Sequence, residues 1–140
     1  MNVLLDTCVI SEIARAKGAK QVRNRVAGLR SENTFLSVVT IGEMANGIAQ
    51  LASGRKKRNL ENFLLSLEQD YGNRILHVDV ETARIWGETT AQARKRGKAI
   101  PPTDGLIAAT ALRHGLHVMT RNVGDFEQSG VLLLNPWEDE

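Results

Sequence analysis

The chain opens Met1-Asn2-Val3-Leu4-Leu5-Asp6-Thr7-Cys8-Val9-Ile10, and the run of Val3, Leu4 and Leu5 straight into an acid decides how the remainder is read. A short apolar run closed by a polar residue suits a buried strand, and in an open parallel sheet ligands gather at the carboxyl ends of the strands. Asp6 falls at such an end. If acids from distant parts of the chain join it, the place is a metal site; alone, Asp6 merely caps the following helix.

Outward from this stretch, strand-like and helix-like pieces alternate without repeats. Residues 9–15 and 20–29 read as helices broken near Gly18, and Thr34-Phe35-Leu36-Ser37 as a second strand. Thr40 reads as the start of a helix whose stripe is Ile41, Met44, Ile48 and Leu51, with Glu43 off that stripe and Ser53-Gly54 as its stop. A helix over 55–71 follows, then a strand over 74–78. Asp79 is placed to cap a helix running from Val80 to about Arg96, ended by Gly97. After Pro101-Pro102, Thr103 reads as the cap of a nearly uncharged, buried helix opening with Asp104. Residues 117–120 form a strand, 121–126 a loop, and 131–134 a last strand before Asn135-Pro136-Trp137. The expected fold is α/β, one three-layer domain over 1–140 with a mainly parallel central sheet flanked by helices.

Composition narrows the class. With 140 residues, 42% hydrophobic and 24% charged, the chain fits one globular domain that needs no disulfide. The single cysteine, Cys8, has no partner to bridge and reads as a small buried residue. No charged leader precedes an apolar stretch, and the longest charge-free run, from Met44 to Gly54, is too short to span a bilayer. A cytoplasmic protein without a membrane partner is expected. A net charge of +2 does not by itself announce nucleic acid, but the positive charge is clustered in Arg55-Lys56-Lys57-Arg58 and in Arg94-Lys95-Arg96-Gly97-Lys98.

Asp6, Glu43, Asp104 and Asp125 all lie just past strand ends or near helix starts, on one rim of a parallel sheet. Each has an ordinary structural use: a helix cap, a partner for a helix dipole, a surface acid, or a loop-shaping side chain. Brought together they are costly. Two like charges about 4 Å apart at an effective dielectric of about 20 repel by roughly 4 kcal/mol, against a domain stability of about 5 to 15 kcal/mol. Either the carboxylates stay apart or a divalent cation neutralises them, and oxygen ligands favour Mg²⁺ or Mn²⁺ over Zn²⁺.

Four segments carry a resemblance. Leu4-Leu5-Asp6-Thr7-Cys8-Val9-Ile10-Ser11, Ser37-Val38-Val39-Thr40-Ile41-Gly42-Glu43, Asp104-Gly105-Leu106-Ile107-Ala108-Ala109-Thr110-Ala111 and Thr120-Arg121-Asn122-Val123-Gly124-Asp125-Phe126 resemble the ordered motifs of PIN-domain ribonucleases. The length and the Asn135-Pro136-Trp137 ending look most like VapC-type toxins of toxin-antitoxin pairs, in particular the FitB-like subgroup. Cys8 departs from the pattern, standing where the family commonly has Asn.

The resemblance implies Mg²⁺- or Mn²⁺-dependent cleavage of RNA by metal-activated water. By position, Asp6, Glu43 and Asp104 match the three family acids. The fourth lies between the place of Asn122 and that of Asp125; Asp125 is taken as the acidic ligand, with Asn122 and Thr120 helping to hold water. Arg121 and the two basic clusters would position the RNA backbone. A cognate antitoxin and a second copy of the chain are the implied protein partners, with the helices over 20–29 and 55–71 as candidate surfaces. Two rivals stand beside this reading. An aspartyl-phosphate phosphatase also begins with a strand, Asp and Thr, but wants a second acid where Cys8 stands. A non-catalytic module would use the acids only to recruit a basic peptide.

Overall fold

In the computed structural model, which describes residues 1–138, alternate residues of the first strand face opposite layers. This strand, β1 (Val3–Leu5), turns Val3 and Leu5 into one apolar cluster and Leu4 into another, and all three are fully buried. A period of two in the side chains lets one strand serve two cores. β1 is the centre of a five-stranded sheet with β2 (Thr34–Ser37), β3 (Ile75–Leu76), β4 (His117–Met119) and β5 (Leu133–Leu134). The order is β3-β2-β1-β4-β5 and every pairing is parallel.

Helices cover both faces, giving the expected three layers. On the Val3 and Leu5 side lie α1 (Thr7–Ala14), α2 (Lys20–Ala27), α3 (Val38–Ala49) and α4 (Arg55–Tyr71), contributing Val9, Ile10, Val22, Met44 and Leu67 to the core. On the Leu4 side lies α6 (Pro102–His114), whose Ile107, Ala108 and Ala111 pack with Val118 and Phe126. α5 (Val80–Lys95) packs outside α6, and α7 (Val123–Phe126) follows β4. No helix among the described residues is long and apolar enough to cross a membrane.

Several boundaries differ from the sequence reading, each for a local reason. α3 begins at Val38, two residues before Thr40, because the Ser37 hydroxyl accepts the Val39 N–H at 3.0 Å. Thr103 does not cap α6: Pro102 stands in the first turn, where its missing N–H costs nothing and its fixed φ suits the helix. The expected loop over 121–126 contains α7, a single helical turn too short to show periodicity. Asp79 does cap α5, accepting the Thr82 N–H at 2.7 Å, and this bond holds its carboxyl below the usual range.

The turn between α1 and α2 leaves no room for a side chain at Gly18, where a Cβ would lie 2.2 Å from the Glu12 carbonyl oxygen. Backbone on both sides must then shift, so Gly18→Ala is expected to destabilise the fold by about 1–3 kcal/mol in urea unfolding.

Candidate metal and catalytic centre

The chain leaves β1 for β2 on one side and returns to β4 on the other, so the carboxyl ends of β1 and β4 flank the point where strand order reverses. Such a crevice is where open α/β sheets bind ligands. The residues immediately past these strands are Asp6 and Thr120, and both are buried, at 3% and 0% exposure. The sheet ladder brings them together: the Asp6 N–H donates to the Met119 carbonyl at 3.0 Å, and the Thr120 hydroxyl donates to Asp6 Oδ2 at 2.8 Å.

Asp6 is held at both oxygens. Oδ1 accepts the Thr7 N–H at 2.8 Å as the cap of α1, while Oδ2 takes the Thr120 hydroxyl and the Cys8 thiol, Sγ lying 3.4 Å away. Each carboxylate oxygen has two lone pairs, so capacity for a cation remains. Cys8 is thus only half-buried and belongs to the site, contrary to the sequence reading. Its sulfur lies 3.6 Å from Thr120 Oγ1 and accepts the Arg121 N–H at 3.5 Å. Burial pushes the thiol pKa up first, and the Asp6 charge adds to the shift, so the sulfur stays protonated and can donate.

Glu43 comes in from α3 and is oriented by Thr7, whose hydroxyl donates to Oε1 at 2.6 Å and lies 3.3 Å from the Thr40 hydroxyl. This bridge joins residues 36 positions apart and had no signal in the sequence. Asp104 enters from the first turn of α6 on the opposite layer. Its carboxyl is pushed up to about 7, first by burial and then by the negative charges of Asp6, Asp125 and Glu43. A side-chain hydrogen bond with Asp125 also favours the protonated form. The other three singled-out acids therefore all act on Asp104 across the rim. Among the described residues, no three His, Cys, Asp or Glu side chains are drawn into a ready-made ion cage.

The remaining sequence candidates divide. Asn122 enters through its backbone, its N–H donating to Thr120 Oγ1 at 2.9 Å, while it is the side chain of Asp125 that reaches Asp104. The Thr120 hydroxyl donates to Asp6. Arg121 is exposed and lays its guanidinium over the Trp137 ring at 5.2 Å, tying the loop after β4 to the chain's end. The second basic cluster is partly structural: Arg96 donates to the Gln128 carbonyl at 2.9 Å, and Arg94 and Lys95 suit the negative end of α5.

Fit to a cation can be judged from this donor set. It is oxygen-rich, it has one carboxyl whose charged form is disfavoured by its neighbours, and two of its acids are pre-oriented by hydroxyl donors. A hard divalent ion suits all three features.

Comparison with known proteins places this geometry. The PIN domain family matches residues 3–129. VapC ribonuclease Y4jK of Sinorhizobium fredii is 35% identical over 137 residues, covering 97% of this chain and 98% of that one. Toxin FitB of Neisseria gonorrhoeae is 39% identical, covering 98% and 99%. The structure of FitAB bound to an IR36 DNA fragment superposes with a TM-score of 0.93 at 39% identity, covering 99% and 97%. The order of acids, the layer arrangement and these similarities agree, and the chain belongs to the PIN domain family, in the company of VapC ribonucleases and toxin FitB.

Proposed function

We propose that this chain is an endoribonuclease that works with Mg²⁺ or Mn²⁺ and serves as the toxin of a toxin-antitoxin pair. The observation that carries the reading is the gathering of acids at the strand-order reversal: Asp6 is fixed between the ends of β1 and β4 by Thr120, Glu43 is tied to the same rim through Thr7, and Asp104 lies within reach of the charges of Asp6, Asp125 and Glu43. Relatives named as ribonucleases and as a toxin support the activity and the role.

Asp6 and Asp104 would hold the principal cation, with Glu43 and Asp125 completing the set. When bound, the ion supplies a polarised phosphate and a water of lowered pKa. The chain's own residues do the rest. Thr120, Cys8 and the Thr7 N–H fix the Asp6 carboxylate in one orientation, so no rotamer freedom is lost on loading. The Thr7 hydroxyl does the same for Glu43. Asp104, hydrogen-bonded to Asp125, holds its proton more tightly than an ordinary carboxyl and would have to release it for a cation to bind there. The partners in this reading are an RNA substrate, a cognate antitoxin and a second copy of the chain, in the cytoplasm.

The test is cleavage by chelator-stripped protein. Incubated with single-stranded RNA, it is expected to be inert until Mn²⁺ or Mg²⁺ is added and then to cut internally. Equal cleavage with and without the ions, or none with them, contradicts the proposal.

A further inference from the structure

Gly105 follows Asp104 in α6, and it is buried at a helical position where alanine is ordinarily preferred to glycine. A ring keeps the position bare. A Cβ there would lie 3.0 Å from both Cδ1 and Nε1 of Trp86 on α5, and 3.5 Å from Cγ2 of the buried Ile100. The indole edge therefore rests on the backbone one residue from Asp104.

The same contact breaks a second local rule. A buried indole N–H usually finds an acceptor, yet Trp86 Nε1 is buried and has none among the described residues. Thr82 and Thr90, four residues to either side along the same face of α5, likewise bury hydroxyls without a partner. Among the described residues, the ion pairs joining the two helices are those of Arg113 with Asp79 and Glu81, and Arg113 stands in the last turn of α6, away from Asp104. On the sheet side, the core contacts of α6 begin only at Ile107. The first turn of α6 is thus seated on α5 by shape, through the indole and the bare glycine. Local rules given up together at one contact beside a site mark a place where position matters more than local fit.

We propose that Trp86 is a positioning residue for Asp104: its indole, fitted to the backbone of Gly105, sets where the first turn of α6 stands and so where that carboxylate meets Asp6 and a divalent cation. The inference rests on the metal reading of the acidic centre, in which Asp104 is a ligand.

Mn²⁺ affinity of the full chain, read from the electron paramagnetic resonance of the free ion, tests this without RNA or turnover. Trp86→Leu is expected to weaken binding about tenfold, the lower end of what losing an outer support costs a metal site. Gly105→Ala should weaken it by a smaller factor, since the ring or the turn need give by only a few tenths of an ångström. Combined, the two should lose less than the product of their separate factors, because the added methyl then has no ring to meet. Leu67→Ala, a truncation in the core on the other side of the sheet, should lower the melting temperature and leave Mn²⁺ affinity unchanged. All are compared at a temperature where circular dichroism shows them folded, and Gly105→Ala carries the test alone if Trp86→Leu does not fold. Parent-like affinity in the variant that carries the test, an equal loss in Leu67→Ala, or independent losses in the double variant overturns the proposal. Failure of the metal reading is distinct: the parent itself would bind no Mn²⁺, and the proposal would fall with it.

Discussion

Asp104→Asn is expected to lower Mn²⁺-dependent RNA cleavage by at least about 100-fold while leaving the chain folded, the scale on which removing one charge-stabilising group from an active site acts. The side chain keeps its volume, and α6 keeps its start because Pro102, not Asp104, sets it. Asp6→Asn should behave alike, since Asn caps a helix as well as Asp does and α1 therefore survives the change. Circular dichroism separates loss of function from loss of fold. Full activity of both variants would show that these carboxylates are caps and nothing more, as the non-catalytic reading holds. That reading also expects partner binding to survive Asp6→Asn. The phosphatase rival expects a phosphoenzyme on Asp6, and it lacks the second acid it wants, since Cys8 stands at that place.

The second large effect is on stability, and its sign follows from Asp104. The folded carboxyl titrates at about 7, above the ordinary 3.8, so the native state holds this proton more tightly than the unfolded chain does. Below both values the group contributes nothing to the difference. As pH rises from about 4 to 7 the unfolded state ionises first, and the penalty grows until it is fully present above about 7. In chelator, Asp104→Asn should thus melt above the parent at pH 8 and level with it at pH 4. Mn²⁺ should narrow that difference at pH 8, because a ligand bound only to the native state stabilises it by about 2.7 kcal/mol at 100 times its Kd. For a domain of this size that is a rise in Tm of about 8 °C. The parent should gain it and Asp104→Asn should not. Below pH 7 the gain should shrink, since the ion must displace the Asp104 proton.

What could be read from the residues was what depends on short-range pattern. Val3, Leu4 and Leu5 announce a buried strand by composition, and Asp6 its end. The helix over 55–71 and the Asp79 cap of α5 are legible because apolar spacing and capping are local. Contacts between distant segments were not legible. Cys8 looks like filler among apolar neighbours, and only the pairing of β1 with β4 puts Thr120 beside it. Thr7 gains its task from Glu43, which the packing of α3 against α1 supplies. The balance between Asn122 and Asp125 turns on α7, whose one turn swings Asp125 toward Asp104.

Anomalous diffraction from crystals soaked in Mn²⁺ tests the central claim most directly. A peak bounded by the carboxylates of Asp6 and Asp104, absent from crystals of Asp104→Asn, is the predicted result. No peak at the carboxyl ends of β1 and β4 under millimolar Mn²⁺ at pH 8 would contradict it.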